Sequence, residues 1–150
     1  MSRKIPVTLT NMCMVQDGDR VLVQDRVDPD WPGLTFPGGH VESGESFAAS
    51  VIREVFEETG LTIEQPRLCG VKEWENSDGS RYMVLLYKTD KFSGELHDSA
   101  EGRVFWATRE EILTMPMTEH FDKVMEVFFR EDLSEFYYQN TENSWNIQLL

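Results

Sequence analysis

The stretch REVFEETG, residues 53–60, sets one arginine beside three glutamates in a chain that already carries 27 Asp+Glu against 14 Lys+Arg. If the segment is helical, Glu54 and Glu57 are an i,i+3 pair and Glu54 and Glu58 an i,i+4 pair. Like charges at those spacings cost about a few tenths of a kcal/mol each. Arg53 offsets part of this through its own i,i+4 relation to Glu57, but the group lies toward the helix C-terminus, where the macrodipole disfavours negative charge. Taken alone, the stretch fits a solvated acidic face. Its context points elsewhere. Upstream, FPGGHVESGE (residues 36–45) places Gly38 and Gly39 after a proline and adds Glu45. Glycines there permit a tight turn and let a backbone carbonyl approach whatever the carboxylates hold. Hard oxygen donors from one loop and one helix suit Mg²⁺ or Mn²⁺, with water and a substrate phosphate completing the coordination.

The elements that must position these residues follow from patterning. Residues 5–16 are β-rich, DGD at 17–19 signals a turn, and RVLVQDRV (20–27) alternates as a strand, so the three predict a hairpin. CGVKEWEN (69–76) and RYMVLLYKT (81–89) flank Asp78-Gly79 and predict a second one. Between them, DPDWPGLTFPGG (28–39) has the Pro and Gly content of a loop, and SFAASVIREVFEET (46–59) takes helical spacing until Gly60 stops it. On that helix Phe47, Ala48, Val51, Ile52 and Val55 form one apolar stripe, with Glu54, Glu57 and Glu58 beside it. Thr108 with Glu111 fits a capping box, and residues 119–130 form an amphipathic helix presenting Phe121, Val124, Met125 and Phe128. The final stretch, SEFYYQNTENSWNIQLL, has no clear pattern. This order predicts an α+β fold, helices packed on a mixed, largely antiparallel sheet, as one domain over residues 1–150.

Composition narrows the partners. A net charge of −13 opposes binding to a bare phosphodiester backbone, so no stable nucleic-acid partner is expected. A small anionic ligand bridged by divalent cations is compatible with the same charge. Cys13 and Cys69 show neither zinc-ligand nor disulfide-framework spacing and read as ordinary thiols. No apolar run is long enough to span a bilayer, which leaves a cytoplasmic protein without a membrane partner as the expectation. His40, His97 and His120 have no ligand spacing. Hairpin edges and aromatic residues near the C-terminus offer a surface for a homodimer.

The segment GGHVESGESFAASVIREVFEETGL resembles the signature box of the Nudix hydrolases: Gly39, Glu45, Arg53, Glu54, Val55, Glu57, Glu58, Gly60 and Leu61 fill every specified position. The box covers residues 39–61, and the order of surrounding elements extends the likeness less specifically over most of the chain. The resemblance implies an α/β/α sandwich that hydrolyses nucleoside diphosphate derivatives with a divalent metal, Mg²⁺ or Mn²⁺. It further implies metal binding by Glu54, Glu57, Glu58 and the carbonyl of Gly38, with Arg53 orienting carboxylates by its planar fork and Glu45 as a further orienter or outer ligand. Members differ in which glutamate acts as base, and Glu54 is the favoured candidate here. Glu101, before RVFW, is similar to the extra downstream metal ligand of the MutT-like branch, and fits an exposed loop carboxylate equally well.

Within that resemblance, Arg26 matches a substrate-contacting arginine, with a plain surface arginine as the alternative. Gly38 and Gly39 would face the substrate. Trp31, Phe36, Tyr82 and Trp106 are candidates for stacking a base, although aromatics in such a domain are mostly core or rim. Thr118 and Glu119 stand where MutT-like enzymes read a purine edge, and a carboxylate there could accept from the N1 and N2 donors of a guanine-type base. The proline and tyrosine positions of the ADP-ribose and dinucleotide branches do not match Pro66 and Tyr82, and no coenzyme A signature precedes the box. The expectation is a nucleoside triphosphate pyrophosphohydrolase, with 8-oxo-dGTP or a related oxidised nucleotide as substrate and a monophosphate and pyrophosphate as products. Hydrolysis of another nucleotide derivative, action on an RNA 5′ end, or a non-catalytic nucleotide-binding module are the alternatives.

Overall fold

Successive side chains of three apolar runs enter two different cores. Met12 and Met14, Val21 and Val23, and Val84 and Leu86 join one cluster; Cys13 and Val15, Leu22, and Leu85 and Tyr87 join the other. Strands buried on both faces read as continuous apolar runs, which is why MCMV, VLV and VLLY show little alternation. The computed structural model describes residues 2–141 and 144–150. Its strands are β1 (Val7–Asp17), β2 (Arg20–Arg26), β3 (Gly33–Thr35), β4 (Leu61–Glu64), β5 (Arg67–Glu75), β6 (Arg81–Thr89), β7 (Lys91–Gly94), β8 (Gly102–Thr108), β9 (Glu135–Thr141) and β10 (Ser144–Leu149). Its helices are α1 (Phe47–Thr59), α2 (Arg109–Ile112) and α3 (Phe121–Phe129).

The main sheet runs β10-β9-β5-β6-β1-β2-β3, with β8 also on β2, while β4 and β7 pair separately. Among the strand pairs of the described residues, β1 with β6 and β5 with β9 are parallel and the others antiparallel. Val51 and Val55 of α1 cover one face, and Phe121, Val124 and Phe128 of α3 cover the other. The result is the mixed, largely antiparallel α/β/α sandwich that the sequence predicts.

Several local expectations hold. The helix expected over residues 46–59 forms as α1, and Ser46 stands just before it as the N-cap, its Oγ accepting from the Ala49 N–H at 3.0 Å. Gly60 ends that helix at φ 83°, a left-handed conformation that favours glycine. The capping box of Thr108 and Glu111 is complete, and β5 and β6 form the expected hairpin.

Three expectations change. The first hairpin closes only at Gln16↔Val21 and Asp17↔Arg20; beyond it β1 runs along β6 and β2 along β8. Local turn signals report the reversal of the chain but not the partner that each strand prefers further on. The loop at 28–39 contains β3, which pairs with β2. On α1, Phe47 is exposed and Glu58 is buried, so the inward stripe runs through Ser50, Val51, Val55 and Glu58.

The unpatterned C-terminal stretch forms the β9–β10 hairpin against the sheet edge. Among the described residues no helix is long and apolar enough to cross a membrane.

Candidate active site

The loop after β3 lies along β1 and against α1. Cys13 N–H donates to the Pro37 carbonyl at 2.9 Å, Asn11 N–H to Gly39 at 2.8 Å, and Val41 N–H to Leu9 at 3.0 Å. Buried Asn11 joins three elements: its Oδ1 accepts from Gly39 N–H at 3.2 Å, and its Nδ2 donates to Ser50 Oγ at 3.0 Å. Neither Asn11 nor Ser50 was singled out as a site residue from sequence. The available signal was a polar residue inside an otherwise apolar stripe. Both glycines are required by close approach: a Cβ at Gly38 would collide with the backbone of Asn11 and Met12, and one at Gly39 with the Glu54 carboxylate. Gly39→Ala is therefore expected to displace Glu54 and lower turnover about tenfold with an unchanged circular dichroism spectrum. Full activity in that variant would remove Gly39 from the site.

The three box glutamates are not equivalent. Glu58 is 5% exposed and accepts from the Gly38 N–H at 2.9 Å. Burial pushes its carboxyl up to about 8; the Gly38 hydrogen bond opposes the shift, while the charges of Glu54 and Glu101 add to it. Burial also raises the Glu54 carboxyl, against the pull of Arg53. The Glu57 side chain is 56% exposed and turns to Arg53 at 3.3 Å.

Arg53 organises the rest. Its Nε and Nη2 grip both oxygens of Glu45 at 3.0 and 2.7 Å, its Nη1 reaches Glu54 at 2.9 Å, and its Nη2 also donates to the His40 carbonyl at 3.0 Å. Hydrogen bonding by Arg53 holds the Glu45 carboxyl down at about 2.

A cavity of about 450 Å³ is lined by Glu54, Glu58, Glu101, Arg26, Gly38 and Gly39, among others. The structure thus brings together two of the three box glutamates, Glu101, Arg26 and both glycines. Glu57 does not line that cavity. Glu119 lies elsewhere, at a second cleft of about 540 Å³ formed with Trp31, Trp74, Tyr82, Tyr138 and Trp145. Trp31 and Tyr82 line both spaces. Phe36 is instead a core residue, edge-on to Phe121 and Phe128, and Trp106 packs on Phe92.

Residues 7–130 match the family model of the NUDIX domain. The chain belongs to the Nudix family. Nudix hydrolases act on phosphoanhydride bonds of nucleotides and in general need divalent metal ions. The uncharacterized Nudix hydrolase YvcI of Bacillus subtilis (strain 168) is 37% identical over 110 residues, covering 70% of this chain and 68% of that protein. The NAD-capped RNA hydrolase NudC of Mycobacterium tuberculosis is 35% identical over 109 residues, covering 67% of this chain but 33% of its own length. The mutator MutT protein of Bacillus halodurans superposes with a TM-score of 0.79 at 28% identity, covering 95% of this chain and 97% of that one. The Nudix match stops before β9, whereas the structural likeness to the B. halodurans protein takes in part of the C-terminal hairpin.

The donor set fits the metal requirement of the Nudix family. Glu54, Glu58 and Glu101 supply hard oxygens around one cavity. The Gly38 carbonyl accepts no hydrogen bond among the described residues, which leaves it free to serve as a further donor. Among the described residues no three acidic, imidazole or thiol groups form a closed cation cage. Mg²⁺ needs none, since it keeps several waters and is held by one or two carboxylates plus substrate phosphate.

Proposed function

We propose that the protein is a divalent-metal-dependent pyrophosphohydrolase that cleaves nucleoside triphosphates to the monophosphate and pyrophosphate, with 8-oxo-dGTP as the named candidate substrate. The observation that carries this reading is the continuity, through Trp31 and Tyr82, of a carboxylate-lined groove with an aromatic cleft. A nucleotide laid across both would put its phosphates against carboxylates and cations, and its base among rings.

Mg²⁺ or Mn²⁺ held by Glu54, Glu58, Glu101 and the Gly38 carbonyl, with Glu57 alongside, would supply Lewis acidity to the phosphoanhydride and to a water. The chain's own residues divide the remaining work. Arg26 is fixed by the Trp31 carbonyl at 3.0 Å and lies over the Trp31 ring at 5.3 Å. That places its guanidinium at the junction of the two spaces, where it can bind phosphate oxygens. Glu54 is held by Arg53 at the groove and is assigned as the general base for the attacking water. Asn11 and Glu58 hold the Gly38-Gly39 backbone that borders the substrate.

Pyrophosphate release with Mg²⁺ from normal and oxidised nucleoside triphosphates, ADP-ribose, dinucleotide polyphosphates and NAD-capped RNA tests the assignment. Triphosphates are expected to turn over fastest. A tenfold or greater preference for ADP-ribose or capped RNA would overturn the substrate class, and no turnover of any member would leave a nucleotide-binding module.

A further inference from the structure

Lys72 stands at the centre of the sheet on β5, opposite Val84 of β6 and Phe136 of β9. It is 7% exposed and makes no hydrogen bond or ion pair among the described residues. Its Nζ lies 5.4 Å from the centre of the Trp31 ring, 5.7 Å from that of Trp74 and 5.2 Å from that of Phe136. Burial among these rings pushes the pKa of the ammonium down to about 8 against the pull of Glu119. A methionine or leucine would fill the same place without that penalty. What the cation offers instead is a set of unused donors at the floor of a cleft whose walls are Trp74 stacked on Tyr82 at 4.5 Å, with Tyr138 and Trp145 beyond them.

The rim carries the complementary group. Glu119 Oε1 lies 3.3 Å from Nε2 of the neighbouring His120, and His120 is held in the left-handed region at φ 62° with the same Nε2 hydrogen-bonded to the Tyr138 hydroxyl at 3.1 Å. Backbone strain of that kind persists where the surroundings fix it, and it clusters at binding sites. The cleft therefore presents one buried donor and one solvent-facing acceptor between flat rings.

We infer that Lys72 is a specificity-determining residue: its ammonium donates to the C6 carbonyl oxygen of a guanine-type base stacked in this cleft, while Glu119 accepts from the adjacent N1–H and 2-amino group. Adenine reverses the pattern along the same edge, placing an amino donor against the ammonium and a lone pair against the carboxylate. The inference rests on the reading of the two adjoining spaces as one nucleotide site, and it deepens that reading by naming Lys72 as the residue that selects the base.

Tryptophan fluorescence of the full-length protein, titrated with GMP, IMP and AMP in the presence of a chelator, tests it without any turnover. GMP is expected to bind at least about tenfold more tightly than AMP, the discrimination a well-placed polar pair supplies, with IMP between them because it keeps the carbonyl and N1–H but lacks the amino group. Lys72→Met should cut the preference for GMP at least about threefold, leaving the share that Glu119 supplies, and change AMP affinity less than about threefold, a small effect because stacking on the rings is retained. The same variant should melt about 2–4 °C higher, since an unpaired buried charge is removed. A merely structural lysine predicts lower stability and unchanged selectivity. Equal affinity for GMP and AMP, no quenching by either nucleotide, or an intact GMP preference in Lys72→Met would each overturn the inference. Selective binding without Mg²⁺-dependent pyrophosphate release would instead reject the proposed catalytic activity and leave the base assignment standing.

Discussion

Glu58→Gln is expected to lower turnover at least about 10²-fold, a typical loss for a key electrostatic group, while stabilising the metal-free fold near pH 8. The two effects have one cause. In the folded chain burial pushes this carboxyl from 4.5 up to about 8, helped by Glu54 and Glu101. The folded state therefore holds a proton that the unfolded state releases between those values. The stability contributed by the group is complete below about pH 4.5 and is lost as pH rises through about 8. At 1.36 kcal/mol per pKa unit the full excursion is on the order of a few kcal/mol. Glutamine removes the ionisation and keeps an amide oxygen that can accept from the Gly38 N–H.

Melting curves in chelator should place the variant above the wild type near pH 8, with the difference closing near pH 5. Adding Mg²⁺ or Mn²⁺ near pH 8 should raise the wild-type midpoint more than the variant's, because a ligand stabilises only the fold that binds it. Near-wild-type turnover in Glu58→Gln, or equal metal-induced shifts in both proteins, would reject Glu58 as a metal-binding group.

That Glu58 behaves differently from Glu57 was only half legible in the sequence. Helical spacing placed the three glutamates on neighbouring positions, and the loop glycines and Arg53 pointed to the same site. Which glutamate turns inward depends on what α1 packs against, and α1 rests on β1 and β4, a tertiary contact with no local signature. Helix ends, both Asp-Gly turns and the capping box were readable because their causes lie within a few residues. The first hairpin was legible only at its turn for the converse reason: β1 pairs with β2 at Gln16↔Val21 and Asp17↔Arg20, and finds its longer partner in β6, far along the chain.

The aromatic cleft was the least legible part. KEWE on β5 looks like an ordinary exposed alternation until β9 pairs alongside it in parallel and places Phe136 and Tyr138 opposite Lys72 and Trp74. Trp31 and Tyr82 were named as stacking candidates from sequence and do line the cleft, whereas Phe36 and Trp106 do not. Residue type alone cannot tell a wall from a core.

Arg53→Lys should lower turnover about 10- to 100-fold and weaken Mn²⁺ binding in parallel, the range seen when a group that orients metal-binding carboxylates is lost. The guanidinium contacts Glu45, Glu54, Glu57 and the His40 carbonyl at once, from three nitrogens fixed in one plane. A lysine ammonium is a point charge with three donors and cannot hold a bidentate grip on Glu45 while reaching Glu54 on the other side. The net charge is unchanged, so any loss reports geometry rather than electrostatic balance. The pH dependence separates this role from simple packing. Arg53 holds the Glu45 carboxyl at about 2 instead of 4.5, so that contribution to stability is present above about pH 4.5 and is lost as pH falls toward about 2. The stability gap between wild type and variant should accordingly be widest above about pH 4.5 and narrow on acidification. Electron paramagnetic resonance of bound Mn²⁺ reads the metal affinity directly, and unchanged affinity together with unchanged kcat in Arg53→Lys would show that the carboxylates hold their places without the fork.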